Sequence, residues 1–490
     1  MHRTTWRYTA RAAMLAAVLA TGSLVFPATT HASHAQVNMD VTLSVYTCCG
    51  SLEGFNDSDP THLFSIHNIY APIWSKKYPG LKWKETLVND QAQLETKLTL
   101  AVNSGNPPDM VFIQGGYIGD AVVRKLAQPL DQYFKNIPAS YFLPGMVSWA
   151  RFGGHWWAIP AVSGPLAGQL VYVPKYMTPL GYNNSNLRTF NDLYNMSKKA
   201  VKFDSAGNLT RIGYWPASGL TANVFETTGT LMCPPGHGLY NTANQPTATD
   251  PCNVAFLTYL KKLSDLYGGY TKISKFISGD PDIWSGSPKT YMATGKGLIT
   301  PSANAYWSIT PFDNFTWGIK GGLDYQLTPI PPSIDGKLST AANFPSTQQE
   351  IIIPRGAKHP DQAFLASKLI CWDYGYLLGP STNGSPVAKD QERWLQAFIA
   401  GEAAARKKAG LSGNPAASLE GIRMQPLLAR NSKAHLPINP VEPYYQEQLS
   451  RAATRVLLGQ QSPEAALAEV QRLVLNREKQ LASQYGSWNW

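Results

Sequence analysis

The chain has 490 residues, more than one hydrophobic core usually supports, so two or more lobes are expected. Apolar residues make up 44% and charged residues 15%, which excludes a charge-driven disordered chain; the 40 Gly and 36 Pro recur without a period, which excludes collagen-like repeats. The formal net charge of +10 includes Arg3, Arg7 and Arg11, and the other basic residues form no run, so no nucleic-acid partner is expected.

The amino terminus has the layout of an export signal. Arg3, Arg7 and Arg11 precede a short apolar stretch from Ala12 to Phe26, which Pro27 ends. Ser33-His34-Ala35 follows as a small-x-small cleavage pattern, with Thr30-His31-Ala32 as the alternative. Residues 1–35 are therefore read as a signal peptide, with a mature chain from about Gln36 that is periplasmic or secreted. The apolar stretch is shorter than the roughly 20 residues that span a bilayer; a retained anchor is the alternative. The first cysteine, Cys48, lies well past the cleavage point, so the protein is not read as a lipoprotein.

Strands then alternate with helices. Val41 to Tyr46 is β-branched and apolar, and Leu81-Lys82-Trp83 follows as a second strand. Leu94, Leu98, Ala101 and Val102 recur at helical spacing until Ser104-Gly105-Asn106-Pro107-Pro108 ends that helix. Asp109 to Ile113 reads as a buried strand, and Gln114-Gly115-Gly116-Tyr117 is its exit before a helix through Ala121 and Val122. Thr189-Phe190-Asn191-Asp192 is a capping box with Asp in place of Glu, opening a helix with Leu193, Met196 and Ala200. Leu257, Leu260 and Leu263 mark another helix. Ile351 to Ile353 reads as a strand, followed by a helix from Pro360 with Leu365, Leu369 and Trp372. Ser462-Pro463-Glu464 starts the last helix, with Leu467, Val470, Val474 and Leu481 on one face.

This alternation predicts an α/β fold with mostly parallel sheets flanked by helices. Such sheets bind ligands beyond the carboxyl ends of their strands, so the exits at Thr47 to Gly50, Gln114 to Tyr117 and Pro301 to Trp307 are the places to look. Cys233 and Cys252 bracket a polar, turn-rich stretch and lack metal-ligand spacing, so in an exported protein they are expected to form a disulfide, worth roughly 3 kcal/mol in the chain-entropy model. The states of Cys48, Cys49 and Cys371 are left open.

The chain has no HExxH, GxSxG or GxGxxG, and the nine histidines do not pair at metal spacing. No metal or cofactor is expected; a glycosidase needs only two carboxylates, which no linear motif reveals, so the motifs alone leave an enzyme open without supporting one. The chain does carry aromatic clusters beside small polar residues: His155-Trp156-Trp157, Asn304-Ala305-Tyr306-Trp307, Phe315-Thr316-Trp317 and Tyr444-Tyr445. Flat rings cover the apolar face of a sugar, and amides or carboxylates bond its hydroxyls. The competing reading places most of these rings in the core.

The run Glu95 to Leu130, with its SGNPPD break and its Gln-Pro-Leu ending, resembles the sugar-type extracellular solute-binding proteins of ABC importers. Similar segments follow in order: Gly153 to Pro160, Arg188 to Leu193, Gly295 to Trp307, Tyr325 to Pro332, Asn343 to Pro360, Asn383 to Val387, and the terminal GQQSPEAAL. The resemblance implies a two-lobed periplasmic-binding-protein-like fold with the ligand cleft between lobes. Lobe one is expected at 36–162 and 325–376, lobe two at 163–324 and 377–490. Ligand binding would close the hinge by population shift rather than by catalysis.

The resemblance further implies a saccharide ligand, a membrane ABC-transporter permease as partner, a monomeric protein and no enzymatic activity. The ligand-binding residues it assigns are Cys48, Gln114, Gly115, Gly116, Tyr117, Trp157, Asn304, Tyr306, Trp307, Asn343, Asn383 and Gly384, with Trp307 or Tyr306 stacking on a sugar ring. The Cys48-Cys49 pair is not part of the family's pattern. The alternatives are a secreted carbohydrate-active enzyme and a binding protein of the same fold for a polyol or other non-sugar solute.

Overall fold

Alternating apolar residues form β1 (Thr42–Cys48), whose Leu43 and Val45 are fully buried. It pairs with β2 (Lys82–Val88) on one side and β3 (Met110–Gln114) on the other, both parallel. The computed structural model describes residues 37–48, 73–88, 90–162, 169–183, 185–216, 224–225, 229–234, 236–279, 291–302, 326–329, 349–378, 385–408 and 438–488. The chain divides into units at Met1–Asn38 and Met39–Trp490, and all the elements named here belong to the second. The expected signal segment lies outside the described residues. No helix among the described residues is long and apolar enough to cross a membrane.

The remaining strands are β4 (Arg151–Phe152), β5 (His155–Trp156), β6 (Ile159–Val162), β7 (Gln169–Tyr172), β8 (Lys202–Phe203), β9 (Leu209–Tyr214), β10 (Gly297–Ser302), β11 (Gln326–Pro329) and β12 (Gln349–Ile352). One sheet runs β2-β1-β3-β12-β6, a second runs β11-β7-β10-β9-β8, and β4 and β5 form a hairpin.

The sheets are mixed rather than mostly parallel, which corrects the sequence-based expectation. Among the described strands, only β1 with β2, β1 with β3, and β9 with β10 are parallel; the other pairings within the two larger sheets are antiparallel. The reason lies in the crossings. β7 and β12 each begin after a passage from the other sheet, and each enters at the edge where its neighbours end, so it must run against them.

The helices used below are α1 (Gln91–Asn103), α2 (Ile118–Val123), α3 (Pro144–Ala150), α4 (Phe190–Ala200), α5 (Pro251–Leu266), α6 (Pro360–Lys368), α7 (Glu442–Leu457) and α8 (Pro463–Tyr485). The capping box at α4 forms as its sequence predicts: the Thr189 hydroxyl accepts from the Asp192 N–H at 3.0 Å, and the Asp192 carboxylate accepts from the Thr189 N–H at 2.8 Å. At α8, the Ser462 hydroxyl accepts from the Ala465 N–H at 3.2 Å, and Leu467, Val470, Val474 and Leu481 are all buried. In α6 the buried positions include Ala363, Phe364 and Ala366, while Leu365 is only half-buried. A π-turn at Leu369–Asp373 then buries Leu369 and Trp372.

Two cores result. Beside the first sheet, Trp156 stacks on Phe134 at 4.1 Å, Phe142 meets Trp372 edge-on at 4.9 Å, and the Trp372 indole N–H donates to the Pro160 carbonyl at 2.7 Å. Beside the second sheet, α4, α5, α7 and α8 bury Phe190, Leu193, Phe256, Tyr445, Leu449 and Leu467 together. Two expected lobe boundaries shift. β11 pairs with β7 in the second sheet, so the chain crosses after Pro329 rather than at 325. Pro386 and Val387, expected in lobe two, bond to Leu143 and Phe142 beside the first core.

Cys233 and Cys252 are joined by a disulfide, with Cα atoms 5.1 Å apart. Cys371 is a buried free thiol; burial and the nearby Glu350 push its pKa up. Glu350 itself is fully buried on β12, and burial holds its carboxyl well above the ordinary range. Cys49 lies outside the described residues.

Replacing Thr189 by Ala removes one side of the capping box. The expected cost is about 1 kcal/mol of stability, read as a lower denaturation midpoint; an unchanged midpoint would show that the box contributes nothing.

Candidate functional site

Strand direction defines the site. In the first sheet β1, β2, β3 and β6 all end at one edge, and β12 starts there: Cys48 pairs with Val88, and Gln349 faces both Gln114 and Val162. In the second sheet β10 and β11 end, and β7 starts, at one edge, where Gln169 pairs with both Ser302 and Pro329. Segment 163–168 joins Val162 to Gln169, and segment 330–348 joins Pro329 to Gln349. Both crossings therefore connect the same pair of edges, which are also where carboxyl ends of strands gather and ligands bind in sheets of this kind.

The structure brings Cys48, at the end of β1, and Gln114, Gly115, Gly116 and Tyr117, at the end of β3, to the first of these edges. It does not bring Trp157 there. Trp157 precedes β6, whose carboxyl end is the one at that edge, so it belongs to the opposite side of the sheet; its indole N–H donates to the Phe152 carbonyl at 3.2 Å across the β4–β5 hairpin. No strand is read from the sequence at Ile159–Val162, and the direction in which a strand runs within its sheet is not written in its own residues. Trp156 and Tyr445, also singled out as aromatic candidates, are core residues. Asn304, Tyr306, Trp307, Asn343, Asn383 and Gly384 lie outside the described residues.

The β3 exit owes its shape to two glycines. A Cβ on Gly115 would lie 1.8 Å from Cε3 of Trp149 on α3, so only glycine lets the loop pass that ring. A Cβ on Gly116 would lie 3.1 Å from the Glu442 Cγ at the start of α7, a tight but less severe approach. The Gln114 N–H donates to the Gln91 side chain at 3.3 Å, which ties the exit to the first turn of α1. At the β1 exit the buried Thr47 hydroxyl donates to Glu85 on β2 at 2.7 Å.

Sequence reasoning missed Trp149, Gln91, Glu85 and Glu442. Nothing local marked them, because their partners lie far along the chain.

Behind the exit loop, α1 and α2 share a cluster of charges. Arg124 pairs with Asp120 at 2.9 Å and donates to the Thr99 hydroxyl at 2.8 Å. Glu95 faces the same group. Burial, with added repulsion from Asp120, pushes its carboxyl up to about 8 against the attraction of Arg124. Burial also raises Asp120, outweighing its Arg124 partner. No cluster of His, Cys, Asp or Glu able to hold a metal ion occurs among the described residues.

The family model of the bacterial extracellular solute-binding proteins matches residues 68–370. The chain belongs to this family. Among solved structures, CpMnBP1 with mannotriose bound is similar at TM-score 0.65 and 20% identity, over 89% of this chain and 100% of that one. The ABC transporter associated binding protein of B. animalis subsp. lactis, in complex with β-1,6-galactobiose, is similar at 0.62 and 16%, over 90% and 98%. The galacto-N-biose-/lacto-N-biose I-binding protein of Bifidobacterium longum, in complex with lacto-N-biose, is similar at 0.63 and 15%, over 90% and 98%. A search of curated proteins finds no match. The likeness establishes the two-lobed fold of this extracellular solute-binding protein.

Two predictions test the geometry of this solute-binding protein. Gly115→Ala should cost roughly 1–3 kcal/mol through overpacking against Trp149, and Gly116→Ala distinctly less; equal losses in denaturation would refute the close approach to Trp149. The second concerns Glu95. A carboxyl with a raised folded-state pKa contributes stability that is fully present below its unfolded value and is lost as the pH rises through about 8. Glu95→Gln should therefore gain in melting temperature over the native protein as the pH rises from 5 to 9, and a pH-independent difference would contradict the assignment.

Proposed function

We propose that this protein captures a saccharide between its two lobes, in the extracytoplasmic space, and presents it to a membrane permease without altering it. The observation that carries this reading is the convergence of both crossings on one pair of sheet edges. That arrangement leaves the β3 exit, Gln114 to Tyr117, on one side and the β10 exit on the other. The residues that follow β10 in the chain include Asn304, Tyr306 and Trp307, the amide and rings suited to a sugar's hydroxyl rim and apolar face.

The oligosaccharides held by several similar structures, mannotriose, β-1,6-galactobiose and lacto-N-biose, support an oligosaccharide ligand; a similar structure in complex with ribitol, at TM-score 0.58 and 16% identity, keeps a polyol as the alternative. The charge pattern of the first 35 residues supports export through a signal peptide. Membership of an extracellular family agrees with that location.

Thermal-shift titration with these three sugars, followed by chromatography of the mixture, tests the reading. Saturable stabilisation with intact sugar is the expected result; release of shorter sugars would establish an enzyme instead. Trp307→Ala should then weaken binding by about 5- to 150-fold, the range for losing roughly 1–3 kcal/mol of apolar contact, at an unchanged melting temperature. A large drop in melting temperature with unchanged affinity would make Trp307 a core residue.

A further inference from the structure

The loop closed by Cys233–Cys252 is cross-linked by its own hydrogen bonds. The Asn241 side chain accepts from the N–H groups of Ala243 and Gln245 at 2.9 and 3.1 Å, and the Thr247 N–H returns to the Leu239 carbonyl at 2.8 Å. The loop then grips α7 and the residues before it. The Tyr240 hydroxyl donates to the Glu442 carboxylate, the Tyr445 hydroxyl donates to the Leu239 carbonyl at 3.1 Å, and the Asn439 amide donates to the Asn244 carbonyl at 3.0 Å. Tyr240 and Glu442 are both buried.

The gripped segment also meets the other lobe. Glu442, whose second oxygen accepts from Gln446 at 3.1 Å, lies against Gly116 of the β3 exit. One turn on, a Cβ at Gly119 of α2 would lie 2.9 Å from Ile438 and 3.1 Å from the Asn439 carbonyl carbon. So the same few residues are held from one side by the disulfide loop and seat the candidate binding loop on the other.

We infer that the disulfide-closed loop is a positioning device for solute binding: Tyr240 fixes Glu442 against Gly116, and the Asn439 amide bonded to Asn244 fixes the Ile438–Asn439 seat of α2, both beside the β3 exit. Tyr240 is a positioning residue that need not touch solute. A tyrosine hydroxyl needed only for the loop's own stability would affect the loop and α7 alone. One that sets the seat also affects backbone on the far side of the contact, in residues 115–123. The inference rests on the proposed binding role only for its effect on affinity.

Amide hydrogen exchange of the whole protein without solute tests the coupling directly. In Tyr240→Phe, amides of residues 115–123 should exchange about tenfold faster than in the native protein. That factor corresponds to about 1.4 kcal/mol, the order of one buried hydrogen bond. Helix α4, capped independently by Thr189, should be unchanged. The Cys233→Ser, Cys252→Ser double variant should show the same increase together with faster exchange in 236–250; if it does not fold, Tyr240→Phe alone decides. Faster exchange confined to 236–250 and α7, with 115–123 unchanged, overturns the inference. Titration with mannotriose as probe provides the second readout: where it binds the native protein, Tyr240→Phe should weaken it several-fold. Where it does not, the exchange result still decides, and the failure counts against the mannotriose ligand rather than the coupling.

Discussion

The chain must pass between its two sheets, and both passages between described strands, at 163–168 and 330–348, connect the same two edges. Everything else about the site follows from that constraint. It makes β7 and β12 antiparallel to their neighbours, because a strand entering at the edge where others finish has to run the opposite way. It also gathers strand ends from distant parts of the sequence, so Cys48, Gln114 and Gln349 become neighbours at one edge and Gln169, Ser302 and Pro329 at the other. A mixed sheet is the consequence of having both crossings share one candidate binding region, and the parallel strands that remain still aim their exits at it.

Packing at that edge is tight enough that single carbon atoms decide it. Gly115 exists where Trp149 occupies the space a side chain would need, Gly116 lets the start of α7 approach the first lobe's loop, and Gly119 lets Ile438 and Asn439, just before α7, approach that lobe's helix. Large aromatic rings fill both cores behind these contacts, and the buried hydroxyls of Tyr259 and Tyr267 are matched by the carbonyls of Phe190 and Tyr214 at 2.9 and 2.7 Å. This pairing is what burial of a polar group requires. The raised carboxyls at Glu95 and Glu350 show the opposite balance, since burial there outweighs the attraction of any nearby donor or cation and favours the neutral acid.

Much of the fold was legible in the sequence because it depends on neighbours within a few positions. The capping box at Thr189 and Asp192, the stripe Leu467, Val470, Val474 and Leu481, and the buried run before Gln114 are local patterns, and each appears in the structure where the pattern put it. The loop Gln114 to Tyr117 and the Cys233–Cys252 pair were legible for the same reason: a strand exit and a polar loop between two cysteines are short-range signals.

What only the tertiary structure decided is which ends of the elements come together. Trp157 carried the same aromatic signal as the exit residues, yet it stands at the entrance of β6, and strand polarity within a sheet is not written in the strand's own residues. Trp149, Glu442 and Tyr240 shape the region of the β3 exit from positions tens to hundreds of residues away, with no spacing rule linking them to it. The sequence determined the elements with strong local patterns, their caps and the family; the tertiary structure decided the remaining elements, among them β7 and α7, together with polarity, edges and close approaches. Elements form by contacts within a turn or a ladder, whereas a site is made where chain ends meet across the whole fold.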